Sequence, residues 1–327
     1  MTQPYELGDC PACGGDTADQ VASADDLRAE LEALWEFHTR RLRPDTPHPH
    51  LTDRLVFSQR PALRLARCRR CGTLYRNPRE REVEQIYESD AVPADVMDRL
   101  FESQRDTYRV QAQRFARIAG RAGRGLEVGS YVGGYLEAVR AHGWHFRGVD
   151  VNEAAVRYAR SRDLDAVVGT IHSLDDGARF DAVAIWNCLD QLAEPRKVVA
   201  TAHRLLRDGG TLAVRVPNGA FYARVRRWLH TPLASISRAF LAYNNLLGFP
   251  YRTGFTPTSL ARMLRSEGFQ VVRTRGDTLV PLADEWTRAW AAGEERMLKA
   301  VLRRLAGGRT APWFEMYARR RSPHEAE

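Results

Sequence analysis

From Arg124 onward, short apolar runs alternate with stretches whose apolar residues recur at helical spacing. The runs Arg124–Val128, Phe146–Val151, Asp165–Gly169, Phe180–Asn187, Thr211–Pro217, Phe269–Gly276 and Pro312–Arg319 predict strands. The stretches between them predict helices over Gly133–His142, Asn152–Ser161, Glu194–Leu206, Thr256–Gly268 and Asp284–Ala306. Thr256 suits an N-cap with Pro257 behind it, and Gly268 suits the helix end. Arg207–Gly210 predicts a turn. Strands alternating with helices in this way specify an α/β fold, a mostly parallel sheet with helices on both faces.

The first 120 residues follow another pattern. Leu27, Leu31, Leu34 and Phe37 (or Trp35 and His38) recur at helical spacing in an acid-rich stretch that breaks at Arg43–His50. A further helix is predicted from about Glu82 to Arg121, interrupted near Pro93. After the fifth strand, Val225, Trp228, Leu229, Ile236, Phe240, Tyr243 and Leu247 predict two helices.

Four of the five cysteines form two CxxC pairs, Cys10/Cys13 and Cys68/Cys71, each followed by a glycine, Gly14 and Gly72. A two-residue gap lets both sulfurs face one ion at about 2.3 Å, and the glycine permits the tight turn. Two such knuckles suit a tetrahedral Zn2+ site better than a redox pair or a disulfide set. Four thiolates close the coordination shell, so the expected role of the metal is structural. Cys188 stands apart as a free thiol, and His48 and His50 read as surface residues.

The 327 residues carry 44% hydrophobic and 28% charged residues, an ordinary balance for a globular protein. No run approaches the ~20 apolar residues of a membrane span, and the start is not a secretory signal, so the expected location is cytoplasmic. The net charge of +8 is mostly arginine. From Gly209 to Ser266 there is no Asp or Glu, while Arg215, Arg224, Arg226, Arg227, Arg238, Arg252, Arg262 and Arg265 fall in that window. This is either a solvated basic face or a surface for an anionic substrate, RNA or an acidic membrane.

The stretch "GLEVGSYVGGYL", a strand followed by a glycine loop and a helix, precedes Asp150, which closes the next strand. That is the layout of a doubly wound nucleotide fold, in which the later acid binds ribose hydroxyls. Tyr131 breaks the dinucleotide pattern GxGxxG. Glu127 repels a pyrophosphate but suits a ligand's ammonium group.

At these residues the chain resembles the class I S-adenosylmethionine (SAM)-dependent methyltransferases. "LEVGSYVGG" is similar to their first motif, "GVDVNEAAVRYAR" to the next, and "FDAVAIWNCLDQLAEPRKVVATAHRLLRDGGTLAVRVPN" to the segment from fourth to fifth strand. "FTPTSLARMLRSEGFQV" resembles the later helix and sixth strand, so four motifs occur in order from about Gly123 onward. The resemblance implies a Rossmann-like sheet of order 3-2-1-4-5-7-6 with the last strand antiparallel. It also implies that Glu127, Gly129, Ser130, Tyr131 and Gly133 surround the methionine end of SAM. Asp150 would take the ribose hydroxyls, Val151 the adenine face, Thr170 and Ile171 the adenine edge, and Asn187 and Cys188 the region of the methyl group.

Two CxxC knuckles ahead of "YRNPRE" and this core also resemble a bacterial group that modifies sugars, polysaccharides and natural products. Members that C-methylate nucleotide-linked deoxysugars carry a Tyr and a His–Glu–His run; here "NNLLGFPYRTGF" has Tyr251 and no histidine. The resulting expectation is a zinc-ribbon domain over residues 1–90 and a methyltransferase domain over 91–327, with a lid-like insertion at about 218–255. The expected acceptor is a small molecule, anionic or nucleotide-linked. An RNA methyltransferase and a non-catalytic SAM-fold module are the alternatives. Asp190, Tyr251 and His172 are the candidate catalytic groups, with His230 a further candidate and His203 a packing residue. No acidic cluster suits a catalytic magnesium ion.

Overall fold

The computed structural model describes residues 5–48, 64–80, 94–175, 177, 179–305 and 310–321. In chain order, β1 (Tyr5–Glu6), β2 (Ala18–Ala22), α1 (Ala24–Arg41), β3 (Leu65–Cys68), β4 (Leu74–Arg76) and β5 (Arg79–Glu80) come first. Then follow α2 (Ala94–Ala119), β6 (Arg124–Val128), α3 (Gly134–Arg140), β7 (His145–Asp150), α4 (Glu153–Ser161) and β8 (Ala166–Val168). Next are β9 (Phe180–Trp186), α5 (Pro195–Leu205), β10 (Leu206–Pro217), α6 (Gly219–Arg226), α7 (Ala234–Tyr243) and β11 (Thr253–Gly254). The last are α8 (Pro257–Ser266), β12 (Phe269–Asp277), α9 (Ala289–Leu305) and β13 (Trp313–Arg320). His50 and the segment 82–93, where a helix was expected to begin, lie outside the described residues.

The large sheet runs β12-β13-β10-β9-β6-β7-β8. Counted from β6 as the first strand, that is 3-2-1-4-5-7-6, the order expected from the resemblance. The pairs β6–β7, β6–β9, β7–β8 and β9–β10 are parallel. Parallel strands linked by crossovers bury both faces, which is why β9 reads as a nearly unbroken apolar run and all of β6 after Arg124 is buried.

The chain divides into two compact units. One comprises residues 82–215, 261–273 and 316–327. Its core holds Phe115, Tyr135, Trp144, Phe146 and Trp186, whose rings meet edge to face at centroid distances from 5.1 to 6.4 Å. Gly125 is required here: a Cβ would lie 2.2 Å from the Phe146 ring.

The other unit gathers residues 1–81, 216–260 and 274–315. It contains the β1–β5 pair and the sheet β11-β4-β3-β2. The helix α1 starts at Ser23 with a reciprocal capping box to Asp26. It buries Leu27, Leu34 and Phe37 against Tyr222, Val225, Tyr243, Leu247 and Phe249. Leu31 is half-buried and Trp35 exposed, so the stripe through Leu27, Leu34 and Phe37 is the inward one. Under it, Glu30 accepts hydrogen bonds from Tyr222 Oη at 2.8 Å and Gly248 N at 3.1 Å, and Arg226 Nε pairs with it at 2.5 Å.

Three predicted boundaries move. Arg207–Gly210, expected as a turn, lies inside β10. Leu206 pairs with Phe180 and Thr211 with Ala182, so the surplus residues form a bulge with Gly209 at φ 72°. The final helix starts at Ala289 instead of Asp284, because the Asp284 carboxylate accepts from Trp286 N at 3.0 Å and Thr287 Oγ1 at 2.9 Å and closes a separate turn. The two helices after β10, α6 and α7, are separated by a 3-10 turn at Arg227–His230. The helix from Thr256 is as expected, with Ser259 N donating to Thr256 Oγ1 at 3.0 Å.

Candidate active site

The site is built on the carboxyl ends of β6, β7, β9 and β10. After β6 the chain curls through three left-handed positions, Gly129 (φ 73°), Tyr131 (φ 46°) and Gly133 (φ 85°). Glycine adopts this region freely and tyrosine does so at a cost. The Tyr131 N–H donates to Asp150 Oδ2 at 2.8 Å, and Asn152 N donates to Asp150 Oδ1 at 2.9 Å. Burial pushes the Asp150 carboxyl up from its ordinary value, and these backbone donors pull it part of the way back. A carboxylate offers about four lone-pair positions, so two backbone bonds leave capacity for ligand hydroxyls.

Glu127, near the end of β6, is 2% exposed, and its Oε2 is buried with no hydrogen-bond partner. Burial, reinforced by Asp150, drives its carboxyl well above the usual range. A buried acceptor without a donor is costly, and an ammonium group in the site relieves that cost. The loop therefore fits an amino-acid-like ligand with a ribose, as the resemblance implies.

The glycines have different neighbours. A Cβ on Gly129 would lie 2.9 Å from Cys188 Sγ. A Cβ on Gly133 would lie 2.6 Å from Leu164 Cδ1 and 3.3 Å from Ala159 Cβ, so the clearance at Gly133 serves helix packing. Ser130 is buried with its Oγ unpartnered, and it lies over Gly148 of β7. Tyr131 is half-buried and packs on the apolar core. Val151 is half-buried. Ile171 is buried, and Thr170 Oγ1 accepts from His172 N at 3.3 Å.

At the end of β9, Asn187 is left-handed at φ 58°. Its amide is held from two sides. Nδ2 donates to Tyr108 Oη at 3.1 Å, and Oδ1 accepts from the Arg215 guanidinium. Cys188 Sγ donates to Val128 O at 3.3 Å, and burial raises its thiol well above the ordinary value. Asp190 is 1% exposed, and neither carboxylate oxygen has a hydrogen-bond partner. Burial pushes its pKa up to about 7, against the pull of Arg215. Tyr108 and Arg215 belong to this constellation, and the motif comparison did not point to them.

The other candidates lie elsewhere in their elements. His172 Nδ1 is 3.0 Å from Thr201 Oγ1 of α5. His203 packs edge to face on Phe269 at 5.1 Å. Tyr251 and the exposed His230 belong to the unit that carries the cysteine pairs.

In that unit, Cys10 and Cys71 sulfurs lie 3.6 Å apart, as do those of Cys13 and Cys68, and all four sulfurs fall within 4.8 Å of one another. The knuckles repeat the same turn: Gly14 N donates to Cys10 O at 2.8 Å and Gly72 N to Cys68 O at 2.9 Å. Both glycines are left-handed, at φ 66° and 78°.

A methyltransferase-domain family matches residues 101–274, more than half of the chain. The chain belongs to this family. Like the class I enzymes it resembles, it is a SAM-dependent methyltransferase, and the matched span includes Tyr108, Glu127, Asp150, Asn187, Asp190 and Arg215. This methyltransferase is 27% identical over 167 residues to a ubiquinone biosynthesis O-methyltransferase of Thiobacillus denitrificans, covering 48% of this chain and 68% of that protein. It is 25% identical over 176 residues to the protein of the same name in Cupriavidus pinatubonensis, covering 51% and 68%. Among solved structures, a "possible histamine N-methyltransferase" from Thermotoga maritima aligns over 73% of this chain and 100% of its own, at 16% identity and a TM-score of 0.46. Among the described residues, no helix is long and apolar enough to cross a membrane.

Proposed function

We propose that this methyltransferase methylates a small, anionic acceptor at a proton-bearing atom. The observation that carries the reading is Asp190, a buried carboxyl with both oxygens unpartnered, beside the buried cation Arg215. SAM supplies an activated methyl sulfonium, so the protein's work is alignment and exclusion of water. Glu127 suits the ammonium of the donor's amino-acid tail, and Asp150 suits its ribose. Asn187, fixed between Tyr108 and Arg215, forms a rigid polar edge. Asp190, with a pKa near the working pH, suits the proton that the acceptor gives up. Arg215 suits an acceptor carboxylate or phosphate.

The four thiols, in this reading, hold a structural Zn2+. Ligands about 2.3 Å from a tetrahedral ion lie about 3.8 Å apart, close to the observed sulfur separations and far from a disulfide.

The test is to supply SAM with a labelled methyl group to cell extract, with and without RNase. Label in an RNase-resistant fraction of low molecular mass is expected. Label confined to RNA would overturn the acceptor reading. A protein with intact zinc that fails to bind SAM would overturn the donor site.

A further inference from the structure

We propose that the corner between α6 and α7 docks the protein on an anionic lipid surface. Arg224, Arg227 and Arg238 are exposed there, and none of them takes part in an ion pair or hydrogen bond among the described residues. The same segment exposes two apolar side chains, Leu233 at 46% and Ile236 at 47%. Leu233 is the N-cap of α7 and Ile236 lies three residues on, so both stand on one side of its first turn. Trp228 and Leu229 are half-buried in the intervening 3-10 turn. The corner thus carries two exposed aliphatic side chains and three exposed arginines.

Among the described residues, the two acids that reach Arg226 beside this corner, Glu30 and Asp26, are already engaged. Glu30 is buried and held by Arg226, Tyr222 and Gly248. Asp26 caps α1 through Ser23 and lies 4.0 Å from Arg226, and it is also the acid that senses His230. The chain itself offers no acid from Gly209 to Ser266. Among the described residues, Arg224, Arg227 and Arg238 therefore have no ion-pair partner.

Charge selects the occupant. A second copy presenting the same corner brings cation against cation, which disfavours self-association. Single-stranded RNA is held by exposed aromatic platforms, and the exposed tips here are aliphatic. Shallow insertion of aliphatic side chains with arginines at headgroup level is the pattern of an interfacial helix on an anionic leaflet. This assignment concerns surface residues outside the donor and acceptor groups and stands apart from the catalytic reading.

The experiment is co-sedimentation of the full chain with vesicles of phosphatidylcholine alone and of equal parts phosphatidylcholine and phosphatidylglycerol. Binding to the anionic vesicles that falls as salt is raised is expected. Each neutralised arginine lowers the partition coefficient roughly fivefold, so Arg224→Gln/Arg227→Gln/Arg238→Gln together lower it on the order of a hundredfold. Leu233→Ser/Ile236→Ser lowers it about tenfold. All five positions are exposed, and unchanged S-adenosylhomocysteine binding reports an intact fold in each variant. Equal sedimentation with both vesicle types, or an unchanged partition in the triple variant, overturns the proposal. So does displacement of vesicles by polyuridylate, which assigns the arginines to nucleic acid. The salt dependence of the unmodified chain reads the same charge requirement without any substitution.

Discussion

The backbone N–H of Tyr131 donates to Asp150 Oδ2 at 2.8 Å, so the residue that breaks the dinucleotide pattern is tied to the acid that closes the second strand. The loop and the carboxylate proposed to bind ribose are thus tied together. Asp150→Asn keeps the size of the side chain but leaves one oxygen to serve two backbone donors and the ligand. It is expected to weaken S-adenosylhomocysteine binding by about 1.5–3 kcal/mol, or tenfold to a hundredfold. Isothermal titration calorimetry measures this, and unchanged affinity would sink the assignment.

Asp190 links stability to pH. Its folded pKa, pushed up by burial to about 7, lies above the ordinary value of 3.8. A raised carboxyl pKa means that the protein is most stable while the group is protonated, and that this stability is lost as pH rises through the folded value. Asp190→Asn removes the effect. The variant is expected to match the parent near pH 4 and to exceed it above pH 7 by up to about 4 kcal/mol, read as a widening gap in thermal midpoints. Methyl transfer by the parent is expected to rise through the same pH interval and to be lost in the variant.

Gly129 is left-handed and lies against Cys188. Gly129→Ala is expected to cost about 1–3 kcal/mol of stability from backbone strain alone. Cys188→Ala in the same chain relieves the contact but not the strain, so recovery is expected to be partial. Full recovery in denaturant melts would show that the dihedral matters little.

Arg226 pairs with buried Glu30 in the unit that carries the cysteines. Arg226→Met leaves a buried carboxylate unpaired, and a loss of about 3–5 kcal/mol is expected. Burial already raises the Glu30 pKa. A raised folded value favours the protonated form, so the loss is expected to be largest at neutral pH and to shrink as pH falls. A pH-independent loss in thermal melts would assign the role of Arg226 to packing instead.

Zinc content gives a further check. One equivalent of zinc per chain is expected by elemental analysis. Its removal by a chelator, or Cys68→Ser, is expected to destabilise the cysteine-bearing unit by several kcal/mol. S-Adenosylhomocysteine binding by the protein before and after chelation reports whether the donor site depends on that unit.

The strands were legible because each parallel strand advertises itself as an apolar run between helical periods, while their order was implied only by the resemblance to the class I methyltransferases. The neighbours of the glycines were not legible. Gly129 and Gly133 look alike in sequence, yet one faces Cys188 and the other Leu164 and Ala159. Spacing shows that a side chain is absent, but not what fills the space. Tyr108 reaches Asn187 from 79 positions away, on a helix with no distinguishing motif. Arg215 left a trace, a lone cation inside the apolar strand "TLAVRVP", since a charge is buried only where a partner or ligand balances it. The arginine-rich window was visible as composition. Only the fold separates Arg226, half-buried and paired with Glu30, from the exposed Arg224 and Arg227 beside it.

Leu27, Leu34 and Phe37 of α1 share one apolar cluster with Tyr222, Phe249 and Leu302, residues nearly 200 positions or more further along the chain. This bears on inheritance. A recombination event that exchanges the first eighty residues alone imports one face of that cluster without its counterpart. The cysteine knuckles and the segments 216–260 and 274–315 are therefore expected to descend together, and a chimera has to exchange three stretches of gene at once.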